Sequence, residues 1–152
     1  MPLHFAYGSN MDAAAMAQRC PRSRLLGRAR LARWRFVILP SGFASVVPDS
    51  RATVHGALWD IPPADVAALD RYEQVGQGLY AKKIIPVLRE PFGASPALVY
   101  IGAAPQQGAA HPAAWPGYLA DIIAAAQALE LPAAHIAYLS YLLAEQKKGP
   151  RA

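Results

Sequence analysis

Apolar residues fall in short alternating or continuous runs over the first hundred positions and in helical spacing after them. Leu3 to Ala6 is a brief run leading into Gly8-Ser9-Asn10, which predicts a strand ending in a turn. Asp12 suits the N-cap of a helix from Ala13 to Arg19, stopped by Pro21. Leu25 to Leu39 reads as a strand whose apolar positions are Ala29 and Leu31, then Trp34, Phe36 and Ile38. That one-residue change of parity predicts a bulge or a break. Gly42–Val47 and Val54–Ile61 read as two strands separated by Pro48-Asp49-Ser50. Pro62 and Pro63 open a helix over Ala64–Glu73, closed by Gly76. Tyr80–Leu88 and Ala97–Ile101 follow as strands around a turn at Pro91-Phe92-Gly93, then a small-residue loop from Ala103 to Ala114. Leu119, Ile122, Ile123 and Ala126 stand at helical spacing within Gly117–Leu129, and Pro132 starts a last helix to about Glu145. This order is no regular βαβ alternation. It predicts one α+β domain over residues 1–145, with a mixed sheet able to close, and a flexible tail at 146–152.

Composition narrows the picture. With 152 residues, 54% hydrophobic and only 16% charged, whole-chain disorder is excluded and a real core is expected. The net charge of +5 is local: Arg19, Arg22, Arg24, Arg28, Arg30, Arg33 and Arg35 fall in a stretch without acidic residues between Asp12 and Asp49. On the strand reading, Arg28, Arg30, Arg33 and Arg35 all oppose the apolar side chains and form one solvated face. A single-strand nucleic-acid surface needs aromatics among the basic residues on the same face, and Trp34 and Phe36 point the other way. No nucleic-acid partner is therefore expected. Cys20 is alone, which excludes an intrachain disulfide or a Cys-rich zinc site. The N-terminus lacks a cationic region followed by an apolar run, and Ile122–Leu143 is interrupted by Gln127, Glu130, Pro132 and His135. A soluble, cytoplasmic domain without a membrane partner is the expectation.

Two places offer chemistry. In Tyr7-Gly8-Ser9-Asn10, Gly8 permits close backbone approach or a positive φ, and successive N–H groups running into a helix start suit an anion or a polarised carbonyl oxygen. The bland alternative is an ordinary turn. In the helix before Gly76, Glu73 falls between Val66 and Leu69 on the buried stripe, in the last turn, where burial and the helix dipole both raise a carboxyl pKa. That is what a carboxylate general base needs; a helix ending a turn earlier would leave Glu73 solvated. Ser9 lacks a nucleophile elbow. His4, His55, His111 and His135 lack metal-ligand spacing, so no metal or cofactor is expected. Tyr80, Tyr100, Tyr118, Tyr138 and Tyr141 are able to bond a polar ligand or simply to line a core.

His4-Phe5-Ala6-Tyr7-Gly8-Ser9-Asn10-Met11 resembles the YGSN motif of the gamma-glutamylcyclotransferase-like family. The likeness continues through Arg19-Cys20-Pro21, Val54-His55-Gly56-Ala57-Leu58-Trp59 and Leu69-Asp70-Arg71-Tyr72-Glu73-Gln74-Val75, followed by Gly78-Leu79-Tyr80. The resemblance implies a mixed β-barrel flanked by helices, with an acid/base glutamate at Glu73. It also implies a substrate cradle at His4, Phe5, Ala6, Tyr7, Gly8, Ser9 and Asn10, and substrate-side tyrosines at Tyr118 and Tyr80. Two departures border that cavity: Gln74 stands where the family usually has Gly, and His4 where an aromatic is commoner. The implied reaction is a cofactor-independent release of 5-oxoproline from a γ-glutamyl amino acid or amine. The alternatives are a non-catalytic module for a small anion on the same fold, or a basic nucleic-acid-binding protein.

Overall fold

In the computed structural model, which describes residues 2–89, 93–103 and 115–148, five strands close into a barrel in the order β1-β3-β2-β4-β5. They are β1 (Leu3–Ala6), β2 (Arg24–Ile38), β3 (Ala44–Asp60), β4 (Tyr80–Arg89) and β5 (Gly93–Gly102). Neighbours pair antiparallel, apart from the parallel seam where β1 meets β5 at His4 and Leu98. Four helices accompany the barrel: α1 (Ala13–Arg19), α2 (Pro63–Tyr72), α3 (Tyr118–Ala128) and α4 (Ala133–Lys147). The α+β class and the closed mixed sheet are as the sequence predicts.

The core is one cluster built from alternate strand positions such as Phe5, Leu31, Val54, Leu58, Val87 and Val99, together with Leu119, Ile122 and Leu139 of the helices. The helices are also pinned by polar bonds. Tyr138 Oη donates to Phe36 O at 2.7 Å, and Arg28 Nη1 to Glu130 O at 2.7 Å. Asp12 caps α1 by accepting from Ala14 N at 3.0 Å.

The parity change in β2 is a bulge. Arg33 takes φ 71°, and pairing with β3 jumps from Ala32↔Thr53 to Trp34↔Pro48. Pro48-Asp49-Ser50 is therefore no turn between two strands; β3 runs through it. The prediction captured a real interruption nonetheless, because residues 49–52 stand opposite Arg33 alone and Pro48, which has no N–H to give a ladder, sits at its edge. Arg28, Arg33 and Arg35 are exposed and Arg30 is half-buried, with Ala29, Leu31 and Phe36 buried on the other face. Arg22, Arg24 and Arg35 pair with Asp65, Asp60 and Asp49.

Two further expectations need adjusting. The last helix extends over Gln146 and Lys147, which the sequence assigns to the tail. Helix α2 is ended by Gln74 in the left-handed conformation (φ 55°) rather than by Gly76. The turn at Pro91-Phe92, residues 104–114 of the small-residue loop, and residues 149–152 of the tail lie outside the described residues. No described helix is long and apolar enough to cross a membrane.

Candidate active site

A cavity of about 180 Å³ opens at one end of the barrel. His4, Phe5, Ala6, Tyr7, Gly8, Ser9, Asn10, Glu73, Tyr80 and Tyr118 all line it, so the residues named from sequence converge on one space. β1 delivers the first three, and the chain leaving β1 turns through Gly8 into a single 3-10 turn at Ser9–Met11. Gly8 has φ −121°, so the positive φ that glycine would have permitted is not used. Met11 N and Asp12 N bond back to Gly8 O and Ser9 O.

Glu73 lies one residue beyond the last residue of α2 rather than within it. Its N–H still bonds to Leu69 O at 2.9 Å, so the helical path holds long enough to turn the side chain inward with Leu69. Burial pushes the Glu73 carboxyl up from 4.5 to about 7, partly opposed by the Arg19 guanidinium and by a hydrogen bond from Asn10.

Asn10 is the hub of the polar network. Its Nδ2 donates to Glu73 Oε1 at 3.2 Å and approaches His4 Nε2 at 3.4 Å, while its Oδ1 accepts from Arg19 Nη1 at 2.5 Å. His4 Nδ1 lies 3.1 Å from Leu98 O; a carbonyl only accepts, so the proton is on Nδ1 and Nε2 is the acceptor for Asn10. Burial lowers the His4 pKa from 6.5 to about 4, which keeps this neutral tautomer. Arg19 Nη1 also donates to Ser9 Oγ at 3.2 Å, and the guanidinium lies 3.7 Å over the Tyr72 ring. Every hydrogen-bonding atom of the Asn10 amide is thus committed, and its orientation toward Glu73 is fixed.

The tyrosines divide by how they use their hydroxyls. Tyr7 Oη donates to Tyr100 O at 2.5 Å and Tyr80 Oη donates to Ala44 O. Both protons are spent on backbone, which makes these rings walls. Tyr118 Oη instead accepts from Ala44 N at 3.0 Å and keeps its own proton, with no acceptor among the described residues. Burial, reinforced by the Glu73 charge, raises all three pKa values, so the phenols stay neutral.

Sequence reasoning left out Arg19, Phe43, Tyr72, Leu79 and Trp115 as site residues, set Gln74 at the cavity's border, and gave Tyr100 only as a tyrosine able to bond a polar ligand. All but Arg19 line the cavity, and Arg19 stands behind Ser9 and Asn10. The arginine-rich stretch and the Arg19-Cys20-Pro21 likeness pointed toward Arg19 without separating it from its neighbours. Among the described residues, no group of three or more His, Cys, Asp and Glu is placed to hold a metal ion.

Barrel, loop and half-buried glutamate together define a class. A model of the "Gamma-glutamyl cyclotransferase, AIG2-like" family matches residues 4–116, and the chain belongs to that family. Among solved structures it is similar to a "Gamma-glutamyl cyclotransferase" (TM-score 0.79, 21% identity, 91% of this chain and 86% of that one). It is also similar to the uncharacterized protein loc79017 from Homo sapiens (0.78, 23%, 91% and 85%). YkqA from Bacillus subtilis matches as well, with this chain covering 53% of its length (0.75, 21%, 92% of this chain). At these identities the structural likeness shows a shared fold. No curated protein sequence matches the chain.

Proposed function

We propose that the chain is a cyclotransferase that converts a γ-glutamyl amine or amino acid into 5-oxoproline and the free amine. The observation that carries this reading is Glu73: a carboxyl at the wall of a small cavity, aimed by Asn10 and raised to about 7. An α-amine has a pKa of about 8 and is mostly protonated near neutrality, whereas an ordinary glutamate near 4.3 is too weak a base to relieve it. A carboxylate near 7 is well matched to take that proton.

The substrate's own α-amine nitrogen then attacks its γ-carbonyl carbon. A C–N bond forms, and the carbonyl oxygen takes the negative charge of the tetrahedral intermediate. The N–H groups of Gly8, Ser9 and Asn10 and the free Tyr118 hydroxyl proton are the donors available to that oxygen or to the α-carboxylate. Arg19, behind Ser9 and Asn10, makes this side of the cavity electrostatically favourable to an anion. As the oxyanion collapses, the original γ-C–N bond breaks and Glu73 returns its proton to the departing amine. The regenerated carboxylate takes the second proton from the ring nitrogen to leave the neutral lactam. Water is neither consumed nor released. A folded-over glutamyl chain held in a cavity of about 180 Å³ contributes the proximity that a five-membered ring closure needs.

The test is 5-oxoproline release from a panel of γ-glutamyl amino acids and amines, with Glu73→Gln beside wild type. Turnover by wild type and a loss of two orders of magnitude or more in the variant is expected, the range typical of a lost general base. Equal turnover by a folded Glu73→Gln protein would remove Glu73 from the reaction, and no turnover by wild type would leave a non-catalytic small-anion module as the reading.

A further inference from the structure

The residues around the cavity change character from floor to mouth. Phe5, His4, Tyr7, Tyr80 and Tyr118 are 0–6% exposed. Trp115 and Tyr72, which line the same cavity, are 41% and 37% exposed and rank among the few large hydrophobic side chains on the described surface. Trp115 packs edge-on against Tyr118 at 4.8 Å between ring centroids, and Phe43 meets the same ring at 5.5 Å. Leu79 completes an apolar rim. A cavity volume of about 180 Å³ is below the roughly 300–1,000 Å³ of pockets that hold drug-sized ligands, which suits a glutamyl group inside and the other half of the substrate at the rim.

Charge points the same way. Among the described residues that line the cavity, Glu73 is the only one with a charged side chain type, and His4 is held neutral. Arg19 does not line the cavity; its guanidinium is engaged with Ser9, Asn10 and the Tyr72 ring. A carboxylate on the leaving group would therefore find no Lys or Arg among the described residues that line the cavity and would face the Glu73 charge. An aromatic ring would find the exposed parts of Trp115 and Tyr72 to pack on.

Resting on the cyclotransferase reading, we infer that the preferred substrates are γ-glutamyl amides of aromatic amines without a carboxylate of their own, with Trp115 as the main specificity-determining residue of the leaving-group subsite. The probes are L-γ-glutamyl-2-phenylethylamide, L-γ-glutamylethylamide and L-γ-glutamyl-L-phenylalanine. The phenylethylamide should exceed both others in kcat/KM by about tenfold, the scale of one good aromatic contact with its buried area. Trp115→Ala should bring the ratio of phenylethylamide to ethylamide close to one, and Trp115→Phe should restore most of it. Calorimetry on Glu73→Gln separates this inference from the reading beneath it. If wild type releases no 5-oxoproline from any probe, the cyclotransferase reading fails; tighter binding of the phenylethylamide than of the ethylamide would still support the aromatic subsite. Equal affinities, a preference for the phenylalanine peptide, or a ratio untouched by Trp115→Ala would overturn it.

Discussion

Replacing Glu73 by glutamine removes a titratable group while keeping an oxygen for Asn10 Nδ2, so its effect on stability isolates the protonation energy of one side chain. The rise from 4.5 to about 7 means that the folded chain holds the Glu73 proton more tightly than the unfolded chain. At about 1.36 kcal/mol for each pKa unit, the difference amounts to about 3 kcal/mol. Because the folded-state pKa is the higher one, this stabilisation is fully present below about pH 4.5 and is lost as pH rises through about 7. The stability of Glu73→Gln relative to wild type should therefore grow by about 3 kcal/mol across that window. His4 and His135 titrate with the opposite sign: each is lowered from 6.5 to about 4, so they stabilise above about 6.5 and lose that contribution on acidification. They are common to both proteins and cancel in the difference. Urea denaturation of both proteins at intervals from about pH 4 to pH 8 measures it directly. A difference that stays constant across this range would show that Glu73 has an ordinary pKa and would remove the main support for its role as a base.

Further outcomes follow from single contacts. Arg19→Met removes the cation that opposes the rise in the Glu73 pKa, so the acid limb of the pH–rate profile should move above its wild-type position near 7; an unmoved limb would mean that Arg19 does not act on Glu73. Gln74→Gly relieves a non-glycine left-handed residue at φ 55°, and thermal or urea denaturation should show a stabilisation of about 0.5–1 kcal/mol, with a destabilised variant counting against backbone strain there. Gly56→Ala would place a Cβ 2.1 Å from Ala6 O, backbone that cannot yield without parting β1 from β3. A loss of about 3 kcal/mol or more in urea denaturation is expected, with site activity falling alongside because Tyr7 to Asn10 follow Ala6 directly; a cost below about 1 kcal/mol would show that β1 moves freely.

Much of this arrangement was legible because short-range physics fixes it. The alternation of apolar residues marked the strands, and the change at Arg33 marked the bulge, since side chains in an unbroken strand keep strictly alternating faces and one extra residue is what shifts them. Glu73 was legible because a carboxylate on an apolar stripe is costly unless it has a use. The continuity of β3 was not legible: Pro48-Asp49-Ser50 has turn chemistry, and only pairing with β2 carries the strand through it. Arg19 escaped for a related reason. Nothing local distinguishes it from the other arginines; Ser9 and Asn10 reach it through the short helix α1, and Tyr72 comes from the end of α2. The hydroxyl roles of Tyr7, Tyr80 and Tyr118 depend on which carbonyl or N–H of distant strands each one meets, and no spacing encodes that.

The single left-handed residue at Arg33 reconciles an odd spacing in sequence with an unbroken pair of faces in space. Leu31 and Phe36 stand an odd number of positions apart and are both buried, because Arg33 takes up the extra residue. Excising Arg33 would put the apolar positions on either side of it in strict alternation, so Phe36 would stay in the core and Arg35 at the surface, and only the bulge would be lost. In a comparison of related chains, a one-residue gap at this point therefore needs no compensating exchange of apolar and charged residues along 34–38.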